Sequence, residues 1–120
     1  MGGDGVVRGK SMAFAVRIVR LYQYLADGKK EYVLSKQLLR SGTSIGANIK
    51  EAVRGQSKAD FAAKMNIALK EASETEYWLE LLFETGFLSD DEFHSIIPEC
   101  VELIKLLTSI VKSSRRVNSA

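Results

Sequence analysis

The chain has one cysteine, one histidine and one proline in 120 residues. A single cysteine, Cys100, excludes an internal disulfide and agrees with a reducing compartment. A single histidine, His94, cannot supply the two Glu-x-x-His motifs that build a dinuclear metal site in a helical bundle, and Asp91-x-x-His94 is one imperfect half. His94 and Cys100 lie six residues apart, which on a helix is not one face, so no Cys-His nucleophile pair is expected. Neither a GxxxxGK[ST] phosphate loop nor zinc-ligand spacing occurs. No apolar run reaches 18 residues, and the opening MGGDGVVRGK has no apolar signal-peptide core. With so little proline, strand punctuation is scarce as well. The expectation is a cytoplasmic, non-enzymatic protein with no catalytic residues, metal, cofactor, small-molecule substrate or membrane partner.

What is present is a chain that can fold. Apolar residues make up 46%, enough for one continuous core, so residues 1–120 read as a single domain with loose tails at 1–9 and 113–120. Net charge is only +2, but residues 1–56 hold 10 Lys+Arg against 4 Asp+Glu, and residues 57–120 hold 7 against 11. Two readings follow. The halves attract each other, within one fold or across an oligomer, or the first half binds a polyanion.

Apolar spacing near 100° per residue gives four helices. The first spans about Lys10 to Ala26 and stops near Gly28. It buries Phe14, Ala15, Ile18, Leu21, Tyr22 and Leu25, with Lys10, Arg17, Arg20 and Tyr24 on a cationic outer side. The second runs from near Glu31 to Arg54. Ser57 and Asp60 form a weak capping box that opens the third, which stops at Gly86 and turns Phe61, Met65, Ala68, Ala72, Thr75, Leu79 and Leu82 to the core. Ser89 and Glu92 form a clear capping box for the fourth, whose apolar face (Phe93, Ile96, Ile97, Cys100, Ile104, Leu107, Val111) stays in phase across Pro98, so one kinked helix is expected. Short connections between four helices give an all-α, antiparallel up-down-up-down four-helix bundle.

The second helix holds the candidate interface. Lys36, Arg40, Lys50 and Arg54 fall on one line opposite Leu34, Leu38, Ile45, Ile49 and Ala52. At helix rise the stripe is about 27 Å long. With Arg17 and Arg20 it forms a candidate nucleic-acid surface; the plainer alternative is a solvated helix face. Gly42 and Gly46, one turn apart, each cost a helix about 1 kcal/mol relative to Ala. They mark a close approach by another helix, of the same bundle or of a neighbouring subunit. On the third helix Ile67, Trp78 and Leu81, with Ala63, point away from the core face, as at an oligomer interface, unless Trp78 and Ile67 fill a gap beside a neighbouring helix of the bundle. Ser41, Ser44, Asn48 and Glu51 form a polar flank expected to hydrogen-bond at a helix contact. Glu71, Glu74, Glu76 and Glu80 make the third helix acidic, either as a solvated face or as partners for Arg40 or Lys50.

Two segments, QLLRSGTSIGANIKEA and FAAKMNIALKEASETEYWLELL, resemble the small four-helix proteins encoded in intervening sequences of bacterial 23S ribosomal RNA genes. The matching positions are Leu39, Arg40, Ser44, Ile45, Asn48, Ile49 and Glu51, then Ala68, Glu71, Ala72, Ser73 and Glu76. Gly46 and Pro98 depart from the family pattern. The resemblance implies a cytosolic bacterial bundle assembled as a homo-oligomeric ring, commonly a pentamer, with no established reaction. It extends to the accessory variability proteins of diversity-generating retroelements, which are pentameric bundles with a basic RNA-contacting surface. The function expected is binding of structured RNA through Arg17, Arg20, Lys36, Arg40, Lys50 and Arg54. The alternative is a protein-interaction scaffold whose basic half meets acidic helices of a neighbour.

Overall fold

A computed structural model describes residues 2–119, with side chains from Gly5 to Arg115. It contains four long helices: α1 (Gly2–Gln23), α2 (Leu34–Val53), α3 (Lys58–Glu84) and α4 (Asp90–Ser119). Each packs antiparallel against the next, and α1 closes against α4, giving an up-down-up-down bundle of 50 × 21 × 20 Å. Because α1 and α3 both pack against α2 and α4, they stand at opposite corners.

The helix boundaries follow from caps. The Ser57 hydroxyl accepts from the Asp60 N–H at 3.0 Å and opens α3. At α4 the box is reciprocal: Ser89 N–H donates to Glu92 Oε1 at 2.7 Å, and Glu92 N–H donates to Ser89 Oγ at 3.1 Å. Gly86 ends α3 at φ +83°, a conformation that costs glycine nothing. The Leu82 carbonyl then accepts from the N–H groups of Phe87 and Leu88.

Three boundaries differ from the sequence reading. Met1 and Ala120 lie outside the described residues, but the helices otherwise run through both expected tails, and Val7 is fully buried. α1 closes in a π-helical turn, Tyr24–Gly28, in which the Lys29 N–H reaches the Tyr24 carbonyl. The wider winding leaves the adjacent Leu25 and Ala26 both buried. The left-handed residue of that connection is Lys30 (φ 58°), not Gly28, and α2 begins at Leu34 because Glu31 caps it. Glu31 accepts from the N–H groups of Val33, Leu34 and Ser35, at 2.6 to 3.1 Å.

The core comes from all four helices: Phe14, Ile18 and Leu25; Leu38, Ile45 and Ile49; Met65, Leu79 and Leu82; Cys100, Leu103 and Leu107. Every expected core position of α3 is buried or half-buried, and α4 runs unbroken through Pro98. Cys100 is sealed in, its thiol 3.4 Å from the Ala72 carbonyl, and burial, aided by Glu76 and Glu80, pushes its pKa up to about 12.

Candidate nucleic-acid interface

The two glycines of α2 serve α1 of the same chain. A Cβ on Gly42 would stand 2.8 Å from both Cγ atoms of Ile18, and one on Gly46 would stand 3.3 Å from the Ser11 hydroxyl. Ile18 is branched and fully buried, so it has nowhere to move. These positions, placed among the oligomer contacts from sequence, are instead where α1 approaches α2 within the bundle.

The six expected phosphate ligands divide. Arg17 reaches α4, where its guanidinium bonds Glu99, the Ser95 carbonyl at 3.0 Å and the Ser95 hydroxyl at 2.9 Å. Arg40 reaches α3, where it pairs with Glu74 and, at 3.4 Å, with Glu71. The hydrogen bond to Glu74, then the charges of Glu74 and Glu71, raise the Arg40 pKa. Both arginines are therefore interhelix ties. Arg20, Lys36, Lys50 and Arg54 are exposed and have no ion-pair partner among the described residues.

Around Arg40 lies a polar seam that sequence periodicity did not resolve. Ser41 Oγ and Thr75 Oγ1, both fully buried, are 2.9 Å apart, and Thr75 also donates to the Glu71 carbonyl at 2.7 Å. Glu74 accepts from the Trp78 indole N–H at 3.1 Å as well as from Arg40. Glu71 is the inward glutamate of α3: its side chain is 17% exposed, and its Oε1 is buried without a hydrogen-bond partner. Thr75 looked like an ordinary core position because a threonine at helical spacing reads as apolar.

Two further ion pairs, Lys10–Glu102 at 3.2 Å and Glu51–Lys64 at 3.1 Å, also join helices of the basic half to helices of the acidic half. The halves do attract each other within one chain.

The family model of the 23S rRNA-intervening sequence proteins matches residues 4–109. The chain belongs to the 23S rRNA-intervening sequence protein family. A solved structure, of a protein of unknown function from the S23 ribosomal protein family of Bacteroides thetaiotaomicron VPI-5482, is 59% identical to this intervening-sequence protein. It covers 92% of this chain and 98% of its own, with a TM-score of 0.90. No curated protein matches the chain.

The polar residues that carry the family likeness do local work. Ser44 donates to the Arg40 carbonyl at 2.6 Å and Asn48 to the Ser44 carbonyl at 2.8 Å, each one turn back in α2. Glu51 is exposed, and its partner is Lys64 on the surface. Of the four polar residues expected to bond at a helix contact, Ser41 meets Thr75 and Glu51 pairs with Lys64, both between α2 and α3, whereas the hydrogen bonds of Ser44 and Asn48 stay within α2.

Apolar surface is left on the two opposite corners. On α3, Ile67 is exposed, while Leu81 and Trp78 are half-buried, Trp78 packing against the core edge. On α1 the outer side holds Met12, Val16 and Val19, with Met12 66% exposed. That side was expected to be cationic. Met12, Val16 and Val19 repeat at helical spacing on the side away from Phe14 and Ile18, a second apolar stripe that the first conceals.

No helix among the described residues is long and apolar enough to cross a membrane, and no cluster of potential metal ligands occurs among them.

Proposed function

We propose that this intervening-sequence protein is a non-enzymatic, cytoplasmic homo-oligomer that binds structured RNA through a basic surface on α1 and α2. The observation that carries the reading is the pair Lys50 and Arg54, one turn apart on α2, exposed and without an ion-pair partner among the described residues. Binding would come from phosphate neutralisation and counterion release, which needs cations at a surface and no reading of bases. Tyr24, an exposed aromatic side chain of the same chain half, lies beneath the Lys29 ammonium at 5.7 Å from its ring centroid. The family name and the Bacteroides relative's assignment to a ribosomal protein family support the same reading.

The oligomer is a ring of copies, a pentamer by resemblance. Its support is the pair of apolar faces at opposite corners. A surface that differs from its partner surface joins copies head to tail, and such joints make a ring where the rotation between copies closes.

The test is fluorescence anisotropy of a labelled RNA hairpin at low salt. Saturable binding is expected, and none at any protein concentration overturns the reading. Under the scaffold alternative, charge reversal at Lys36 and Arg54 would dissociate the oligomer. Here it leaves the oligomer intact.

A further inference from the structure

In the linear sequence the cations favour the first half; in the folded bundle they favour one end. Antiparallel packing brings Ser11 beside Gly46, Ser41 beside Thr75, and Ala72 beside Cys100, so a plane across the bundle cuts each helix near its middle. On one side lie residues 5–15, 44–71 and 101–115, with ten Lys+Arg and four Asp+Glu. On the other lie 16–43 and 72–100, with six Lys+Arg and ten Asp+Glu. One pole is strongly cationic and the other anionic.

The poles act separately in solution. The molecule is 50 Å long, several times the screening length of about 8 Å at physiological ionic strength. The α2 stripe crosses the divide: Lys36 sits about 21 Å from Lys50 by helix rise and belongs to the acidic end, as does Arg20. Clefts open at both poles, and the one at the acidic end, about 460 Å³, includes Asp91 and Glu92 beside Arg17 and Arg20. At the cationic end, a cleft of about 480 Å³ between α2 and α3 is lined by Lys50, Arg54 and Lys64 together with Glu51 and Asp60, and one of about 580 Å³ between α1 and α2 is lined by Arg8 and again Lys50, with no acid. Lys50 and Ala47 are common to both, so the two clefts meet.

We infer that RNA phosphates are engaged end-on, by the pole that carries Arg8, Lys50, Arg54 and Lys58, and not lengthwise along the α2 stripe. This rests on the polyanion reading above and deepens it. The acidic pole repels the same backbone, so the bundle stands on its RNA in one orientation. In any ring whose axis runs along the bundles, every cationic pole falls on one face.

The experiment compares two double variants with the same change in net charge, K50E/R54E at the cationic pole and R20E/K36E at the other. All four positions are exposed, and circular dichroism melting checks that both variants fold. Affinity for an RNA hairpin is expected to fall tenfold or more in K50E/R54E and less than twofold in R20E/K36E. Equal losses, or a larger loss in R20E/K36E, overturn end-on binding while leaving RNA binding intact. Absence of binding by the unaltered protein overturns both. Lysine acetylation of the unaltered protein with and without RNA gives a check free of variants. Protection of Lys50 and Lys58 but not of Lys29, Lys30 or Lys36 is expected, and the reverse pattern contradicts the inference.

Discussion

Gly42 and Gly9 are both glycines in helices, and the physics at each is opposite. A methyl group at Gly9 meets nothing within 4 Å, so Gly9→Ala gains helix propensity and should stabilise by about 0.5–1 kcal/mol. At Gly42 the same gain is set against overpacking on Ile18, a cost of about 1–3 kcal/mol. Gly42→Ala should therefore lower the urea midpoint and Gly9→Ala should raise it, and a Gly42→Ala variant as stable as the parent would refute the close approach. Cys100 offers a second residue-scale check. A buried thiol with its pKa pushed up to about 12 carries almost no thiolate near pH 8. Its reaction with a disulfide reagent should wait for unfolding, accelerating by orders of magnitude in denaturant. Fast labelling of the native protein would contradict the burial.

Element ends carry the acid sensitivity. Burial acts to raise the Glu31 pKa, but hydrogen bonds from the Leu34, Ser35 and Val33 N–H groups outweigh it, and the net shift is downward. The Ser89 N–H, then Tyr24, lower that of Glu92. A carboxylate whose pKa is lowered on folding stabilises fully above its unfolded value, near 4.5 here, and that contribution is lost as pH falls through the folded value. Thermal stability should thus decline below about pH 4.5, and Glu31→Gln and Glu92→Gln should each flatten the decline, as measured by melting temperature against pH. An unchanged acid limb in both variants would remove the caps from the account. The elements themselves were largely legible. Capping signals at Ser57 and Ser89 and the stop at Gly86 act through neighbours three or four residues away, so they can be read locally. The cap at Glu31 escaped because the chain enters α2 through a left-handed lysine, a turn without its usual glycine. The π-helical turn escaped because nothing in residues 24–28 demands it; the packing of Leu25 and Ala26 does.

At the scale of the whole molecule, the candidate site was only half legible. Exposure of Lys50 and Arg54 followed from their place opposite Ile45 and Ile49. Loss of Arg17 and Arg40 to Glu99, Glu71 and Glu74 did not, because it depends on which face of α3 and α4 meets each arginine. Polarity along the bundle was invisible for the same reason: antiparallel helices place residues 8, 50, 58 and 112 at one end, though they are scattered along the chain. The two outer apolar faces make assembly testable separately. Light scattering should return a multiple of the 13.3 kDa chain mass, about five by resemblance, and Ile67→Glu or Met12→Glu should reduce it. A monomer in the unaltered protein would contradict the ring. RNA binding remains the central claim, and its affinity measured against salt concentration tests it most directly. Engagement of about four phosphates predicts a straight line of log affinity against log salt with a slope near −3. An affinity independent of salt would contradict it.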